Sequence, residues 1–258
     1  MFGICNLAMI PLRSEHSDKS EIVSQVLFGE HFEITEQLKQ WYRIKLHYDS
    51  YEGWVDSKQI QIISQSDFNQ LSNDAIILNG DLIEYITTPA DLLMPIPLGS
   101  SLSFLNHAEI NTSNFNFEGT KISGTKAKNG ILNSAFMYLH APYLWGGKTP
   151  FGIDCSGFTQ MVYKLNGYKL WRDASQQALQ GEALSFIEES EPGDLAFFDN
   201  EEGNIIHVGI IMENNYIIHA SGKVRIDRLD HLGIYNPEVN KHTHKLRVIK
   251  KIITSVSE

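Results

Sequence analysis

The spacing of apolar residues changes period along this chain, and that change sets what it can fold into. Tyr42, Ile44 and Leu46 alternate with Arg43, Lys45 and His47, the period-2 pattern of a half-buried strand. Upstream, residues 25–34 place apolar side chains at 26, 28, 32 and 34, with Gly29 breaking the run. Downstream, the polar turn Asp49-Ser50 leads into Tyr51-Glu52-Gly53-Trp54-Val55. Short strands joined by polar turns predict a small β-barrel over residues 1–62. Beyond residue 130 the period becomes helical. Ile131, Ala135, Tyr138 and Leu139 share one helical face, and Phe158, Met161, Val162 and Leu165 fall at i, i+3, i+4 and i+7, with Asn166-Gly167 as a stop. Apolar runs at 195–198, 207–211, 216–219 and 246–249 follow. Helices first and strands afterwards predict an α+β domain around an antiparallel sheet over residues 126–258.

Between these halves the barrel pattern recurs. Residues 95–104 repeat the apolar and glycine positions of 25–34 at an offset of 70, and Phe117-Glu118-Gly119 echoes Tyr51-Glu52-Gly53 at an offset of 66. A second, looser barrel is therefore expected over 63–125, with Asn111-Thr112-Ser113-Asn114 inserted. The polar stretch 121–130 (KISGTKAKNG) reads as a linker.

Composition narrows the function. With 21 Lys and Arg against 31 Asp and Glu the formal charge is −10, which argues against nucleic acid, whose binding needs clustered cations. No run approaches the roughly 18 apolar residues of a membrane span. The opening MFGICNLAMI has no basic residue before Arg13 and reads as a first strand, not a secretion signal. The chain is expected in the cytoplasm if Met1 is its native start, and in the periplasm or outside the cell if a signal peptide has been removed. Two cysteines, Cys5 and Cys155, are too few for a disulfide scaffold, and no C-x-x-C or H-E-x-x-H spacing supports zinc. No metal or cofactor is called for, and a monomer is expected.

The chemistry concentrates around Cys155. A loop rich in Gly and Pro, residues 142–154, delivers it to the first turn of a predicted helix, where unpaired N–H groups and the helix dipole stabilise an anion. A thiol there is expected below its ordinary value of about 8.5. A cysteine nucleophile needs a base, and the base needs a group to orient it. His207 opens one predicted strand and His219 closes the next, with Glu213-Asn214-Asn215 as the turn, so the two imidazoles can lie side by side. One could take the thiol proton while the other holds the first by its free ring nitrogen. Spacing alone yields a candidate Cys–His–His site and no substrate.

The stretch from Pro142-Tyr143-Leu144-Trp145-Gly146-Gly147 to Asp154-Cys155-Ser156-Gly157-Phe158 resembles the nucleophile segment of the NlpC/P60 cysteine peptidases. Glu191-Pro192-Gly193-Asp194-Leu195, His207-Val208-Gly209-Ile210 and Ile218-His219-Ala220-Ser221 resemble further segments of that family, in its order, over about residues 130–250. The resemblance implies a papain-like domain, with Cys155 as nucleophile, His207 as base and His219 as orienter. The barrels resemble bacterial SH3-like modules. Two such modules before the peptidase domain resemble the subset that cuts the γ-D-Glu–diamino acid bond of murein tri- or tetrapeptides with a free N-terminal L-Ala. By the same resemblance Asp154 and Ser156 adjoin the substrate, and Asp154 takes its ammonium. A barrel tyrosine caps the site, with Tyr51 the best match and Glu15 a weaker acidic candidate. Arg172-Asp173-Ala174-Ser175 resembles the segment that meets D-Glu; a hydroxyl is common where Ala174 stands, and Ser175 or Ser156 could supply it. The implied reaction is acyl transfer, with backbone N–H groups at the helix start holding the oxyanion. Two rivals carry different expectations. An inactive wall- or peptide-binding protein would have no need to keep Cys155, His207 and His219 together, and an acyltransferase acting on lipids would be favoured by a membrane anchor.

Overall fold

The structure, a computed structural model, describes residues 1–88, 90–106 and 115–253. The chain divides into two compact units, Met1–Thr125 with Trp145–Pro150, and Lys126–Leu144 with Phe151–Glu258.

The first unit opens with seven short antiparallel strands: β1 (Phe2–Ile4), β2 (Met9–Arg13), β3 (Ile22–Leu27), β4 (His31–Leu38), β5 (Trp41–Leu46), β6 (Glu52–Asp56) and β7 (Gln61–Ile63). They pair in the order β3-β2-β6-β5-β4-β1-β7 and make the small barrel expected of the N-terminal segment. The alternation read at 42–46 is borne out: Ile44 and Leu46 are buried, and Arg43 and Lys45 between them are exposed. Their inward faces join Cys5, Ile10, Leu12, Val26, Phe32, Ile34 and Val55 in the barrel core. Helix α1 (Gln65–Asn73) follows, started by a reciprocal capping box between Ser64 and Asp67. The next segment holds β8 (Ile77–Asn79), β9 (Ile83–Thr87), β10 (Leu93–Pro97), β11 (Asn116–Phe117) and β12 (Lys121–Ser123), paired as β10-β9-β11 and β12-β8. The stretch 121–130 is therefore not all linker, since its first three residues pair with β8 across the unit. The insertion Asn111-Thr112-Ser113-Asn114 lies outside the described residues.

The repeated pattern has a structural counterpart in its two glycine turns. Gly29 and Gly99 both take positive φ, 75° and 81°. The first turn is pressed against the residue that follows the second: Ser101 N–H donates to the Phe28 carbonyl at 2.8 Å. After the turns the two segments differ, since His31 starts strand β4 whereas Ser103–Asn106 forms a 3-10 turn. Phe28 and Leu102 share one core with Ile4, Ile63, Leu71, Ile86, Ile96, Phe104 and Phe117, so barrel, α1 and the following sheets pack as one body.

Residues 145–150 also belong to this body, with β13 (Lys148–Thr149) at their centre. Lys148 Nζ lies 3.3 Å from both Glu30 carboxylate oxygens, and its backbone N–H donates to Gln25 Oε1 at 2.7 Å. Trp145 Nε1 donates to Glu21. Lys148 and Glu30 are both buried, and a buried charge that lost its partner would cost about 3–5 kcal/mol.

The second unit holds α2 (Gly130–Phe136), β14 (Gly152–Ile153), α3 (Cys155–Lys164), α4 (Ala174–Gln177), β15 (Glu182–Leu184), β16 (Leu195–Asp199), β17 (Ile205–Met212), β18 (Tyr216–Ser221), β19 (Lys223–Asp230), β20 (Gly233–Asn236) and β21 (Lys241–Lys251). The sheet order is β15-β21-β16-β17-β18-β19-β20, and β20 also pairs with β21, so β16 to β21 close into a ring. Ala196, Phe198, Ile211, Ile217, Leu229, Ile234 and Ile249 form a core of this sheet. The antiparallel α+β expectation holds, and the apolar stripe 158–165 lies on α3, which is buried along its whole length. Two readings change. Tyr138 and Leu139 lie past the end of α2, and β19 and β20, rich in charge and turn residues, were not expected as strands. Among the described residues no helix is long and apolar enough to cross a membrane.

The pressed glycine turn gives a test of how the first unit is held. A Cβ on Gly29 would lie 2.0 Å from the Ser101 carbonyl oxygen, in backbone only glycine adopts readily. Gly29→Ala is expected to lower stability by more than about 2 kcal/mol, read as a reduced urea midpoint. Gly124→Ala, at φ 72° with nothing within 4 Å, should cost only the backbone strain of about 1 kcal/mol.

Candidate active site

The site of the second unit begins at a helix cap. α3 starts at Cys155, and Asp154 is its N-cap, accepting the Gly157 N–H at 2.6 Å. Every residue of α3 is buried, so its first-turn N–H groups depend on protein partners. The Asp154 carboxylate is in turn gripped by a guanidinium. Arg172 Nη1 donates to Oδ1 at 3.0 Å and Nη2 to Oδ2 at 2.6 Å, while Nη1 also reaches Ser156 Oγ at 3.0 Å. Arg172 is 1% exposed and Asp154 6%. This is a forked, charge-assisted pair in a dry setting, the geometry for which Arg is suited and Lys is not.

Gln177 ties the segment after Arg172 back to α3. Its Nε2 donates to the Ser156 and Trp171 carbonyls, and its Oε1 accepts from Thr159 Oγ1 at 2.7 Å. α4 is positioned by this residue and by its own cap, where Asp173 N–H donates to Gln176 Oε1. Ala174 is buried and Ser175 exposed, while the Ser156 hydroxyl sits in the Asp154–Arg172 network.

The two histidines come from the β17–β18 hairpin. The register pairs Gly209 with His219, so His207 and His219 are diagonal neighbours, offset by two residues. His207 Nε2 and His219 Nδ1 are 2.8 Å apart, their rings nearly perpendicular at 87°. His207 is thus left with Nδ1 for any other partner. The chain of polar contacts continues behind them: His219 Nε2 is 3.0 Å from Asp227 Oδ2, and Arg225 Nη2 donates to Asp227 Oδ1 at 3.0 Å with Nε 2.7 Å from Oδ2. Arg225 Nη1 then donates to Glu238 at 2.9 Å. His244 of β21 stacks on His207, with centroids 4.2 Å apart and planes at 28°.

Cys155 lies against the strand that carries His207, its sulfur taking the backbone N–H groups of Val208 and Ser156. Burial dominates its titration. It pushes the thiol up to about 12, with the Asp154 charge adding to the rise and the Val208 N–H and Arg172 opposing it. This corrects the expectation of a lowered thiol: the helix-start amides are present, but desolvation outweighs them. Burial pushes His207 well below its ordinary 6.5, and the neighbouring His219 and His244 add to the fall. His219 is lowered by burial against the pull of Asp227, and His244 falls to about 4 by burial. At rest the Cys155 thiol and the His207 imidazole are therefore both neutral. The half-buried Tyr143 phenol is raised to about 12 by burial and by the charges of Cys155 and Asp154.

Of the residues singled out in the sequence, Cys155, Asp154, Ser156, Arg172, Asp173, Ser175, His207 and His219 all belong to the second unit, and Tyr51 and Glu15 to the first. Tyr51 is half-buried against the barrel core, and Glu15 is exposed. Asp227, Arg225, His244 and Tyr143 were missed. Tyr143 lies inside the loop that precedes Cys155, and Asp227 and Arg225 sit on a strand whose inward phase is charged, a pattern that carries its own signal. Among the described residues no group of three or more His, Cys, Asp and Glu side chains is arranged to hold a metal ion.

Comparison with known proteins places this geometry. Residues 140–247 match the model of the NlpC/P60 family, and residues 12–60 that of the bacterial dipeptidyl-peptidase SH3 domain. The chain is 27% identical over 215 residues to a protein of Bacillus subtilis strain 168 named gamma-D-glutamyl-L-lysine dipeptidyl-peptidase, covering 77% of this chain and 72% of that one. It is 27% identical over 266 residues to dipeptidyl-peptidase 6 of Lysinibacillus sphaericus, covering 89% of this chain and 92% of that one. The crystal structure of an NlpC/P60 family protein from Bacillus cereus shares the fold, with a TM-score of 0.81 at 19% identity over 98% of this chain and 100% of that one. A buried cysteine at a helix start and a bonded histidine pair, within residues that match the NlpC/P60 model and follow a segment that matches the bacterial dipeptidyl-peptidase SH3 domain, make this chain a cysteine peptidase with an NlpC/P60 domain and an N-terminal SH3-like region.

Proposed function

We propose that this peptidase hydrolyses the bond between γ-D-Glu and a diamino acid in murein peptides that carry a free N-terminal L-Ala. The observation that carries the reading is a buried thiol at the start of α3, with a capping carboxylate one residue away and a bonded histidine pair on the strands packed against that helix. The names of the relatives support the γ-D-glutamyl bond.

Cys155 is the nucleophile in this reading. His207 Nδ1 takes the thiol proton as sulfur attacks the γ-carbonyl carbon, so thiolate and imidazolium form together and no charged pair stands in the resting site. Backbone N–H groups at the start of α3 stabilise the oxyanion, where preorganised donors are worth most. Collapse expels the diamino acid amine, which takes the proton from His207 and leaves a thioester of the glutamyl γ-carbonyl. Water, deprotonated by His207, then attacks the thioester and releases the L-Ala-D-Glu dipeptide and the thiol.

Asp154 and Arg172 supply recognition. Because they are paired, the site is dipolar and carries little net charge. The L-Ala ammonium meets the carboxylate edge, and the α-carboxylate of D-Glu faces the guanidinium side of the same pair, with Ser156, Asp173 and Ser175 around it. A charge-assisted hydrogen bond to the ammonium would contribute about 1.5–3 kcal/mol. Free, already trimmed peptides fit this requirement, and peptides whose L-Ala amine is still acylated do not, which suits turnover of released wall fragments.

Incubation with L-Ala-γ-D-Glu-diaminopimelate and with its L-lysine counterpart, read by mass spectrometry, should release the free diamino acid. Cys155→Ala should abolish release. Cys5→Ala should not, since Cys5 is fully buried in the barrel core with its thiol also near 12. N-acetylation of L-Ala should slow cleavage by about tenfold or more; equal rates would remove the ammonium from the reading.

The pH dependence follows from the histidine. Only neutral His207 can accept the thiol proton, so kcat/KM should fall as pH drops through its folded value, which lies below 6.5. Half-maximal activity on the acid side is therefore expected below pH 6.5. Alkylation of Cys155 by iodoacetamide should keep rising beyond pH 9 without a neutral plateau, because burial holds its proton to about 12.

A further inference from the structure

The contacts behind the histidine pair have a direction. Asp227 is 3% exposed, and its Oδ2 is 3.0 Å from His219 Nε2. Burial alone would push its carboxyl up, but the hydrogen bonds from His219 and Arg225 hold it below the ordinary carboxylate range. An ionised carboxylate only accepts, so His219 Nε2 must carry the proton of that contact. His219 is neutral near pH 7, so its Nδ1 then holds a lone pair. That lone pair can only accept, so the 2.8 Å contact is a donation from His207 Nε2–H. His207 is neutral too, and one ring nitrogen is now protonated. Its Nδ1 therefore bears the lone pair, which is what a base needs on the side left for Cys155.

We propose that Asp227, clamped by Arg225, is a positioning residue that orders the protons along His219 and His207 so that the lone pair of His207 Nδ1 is presented to the Cys155 thiol. With the order reversed, His219 Nδ1–H would donate to His207 Nε2, and His207 Nδ1–H would face the thiol with no capacity to accept. Both orders satisfy the contact between the two rings equally well. Only a group beyond His219 distinguishes them. After proton transfer the same carboxylate, one imidazole away, stabilises the His207 imidazolium. Arg225 sets which oxygen of the carboxyl group looks at His219, because Nη2 donates its hydrogen bond to Oδ1 and so leaves Oδ2 toward the imidazole.

This inference rests on Cys155 and His207 acting as nucleophile and base, and the experiment separates the two ideas. In Asp227→Asn the guanidinium should draw the amide oxygen, turning the amide NH2 toward His219 Nε2 and imposing the reversed order. Long-range 1H–15N imidazole spectra, which need no substrate, should then show His207 shifting from the Nε2–H to the Nδ1–H tautomer. On the murein tripeptide, kcat should fall roughly 100-fold with KM nearly unchanged, less than the roughly 10⁴-fold cost of altering a carboxylate that contacts the catalytic histidine itself, because Asp227 acts through His219. Cys155 alkylation at pH 8 should slow in parallel. Asp227→Asn combined with Arg225→Met frees the amide oxygen to turn to His219, so the double variant should recover part of both the tautomer and kcat. A purely structural role predicts the opposite, a double variant worse than either single one. Asp227→Ala, which imposes neither order, should fall between the parent and Asp227→Asn and serves as the second probe if Asp227→Asn folds poorly, as judged by circular dichroism. Retention of the Nε2–H tautomer with parental kcat in Asp227→Asn, or no recovery in a folded double variant, would overturn the proposal. If the parent protein fails to cut the peptide while the tautomers shift as described, the substrate reading falls and the proton order stands.

Discussion

The cap of one buried helix is the constraint from which the rest of the site follows. α3 has no solvent along its length, so its leading N–H groups must find acceptors within the protein, and Asp154 accepts the one at Gly157. A carboxylate at that depth is tolerable only if its charge is balanced, and Arg172 does so through two donors. Arg172 is itself buried and has the same need of Asp154. Gln177 then holds the following helix to the Ser156 carbonyl, so the segment carrying Arg172 cannot drift from α3. Cys155 sits at the centre of these obligations, and its position is fixed by groups that do not react.

The same burial decides the chemistry. An exposed helix start would lower the thiol, whereas this one raises it to about 12, and the partner imidazole moves down. The two shifts favour the same resting state, in which neither group is charged. A site of this kind has no standing thiolate to be consumed by chance electrophiles. In the proposed mechanism the nucleophile forms only when a carbonyl carbon is close enough to take the electron pair as the proton leaves. The stacking of neutral His244 on His207 fits that arrangement, because a ring held near a value of 4 adds no positive charge beside an imidazole that the proposed mechanism makes positive.

What was legible in the sequence was whatever is local. Cys155 at a helix start and two histidines flanking a three-residue turn can be read from spacing, because a hairpin converts short separation into contact. The alternation at 42–46 and the stripe at 158–165 are local in the same sense. What was not legible depends on partners distant in the chain. Lys121–Ser123 is a strand only because β8, more than forty residues earlier, pairs with it. Trp145–Pro150 read as one piece with the nucleophile loop, yet Lys148 finds its carboxylate at Glu30 and its amide partner at Gln25. Asp227 was hidden differently. In Arg225-Ile226-Asp227-Arg228-Leu229 the inward phase is Arg, Asp, Leu and the outward phase holds Ile226, so the usual polarity of a half-buried strand is inverted. The inversion is itself a signal, since a charged residue in the inward phase of a strand needs a buried partner.

Asp154 with Arg172 and Asp227 with Arg225 are two versions of one device. Each is a carboxylate at most 6% exposed and gripped by an arginine: the first adjoins Cys155, the second holds His219, which in turn contacts His207. Buried ion pairs contribute little net stability compared with well-packed apolar residues of the same volume, because removing both charges from water costs about what their attraction returns. Stability is therefore a weak reason for either pair. What a forked pair does supply is orientation, since a guanidinium leaves a carboxylate very few directions in which to present its remaining lone pairs. In a chain whose formal charge is −10, the site does not draw on that excess. It uses paired charges, whose fields cancel at a distance and act only on near neighbours, and that short range lets the buried Cys155 thiol and His207 imidazole both remain neutral.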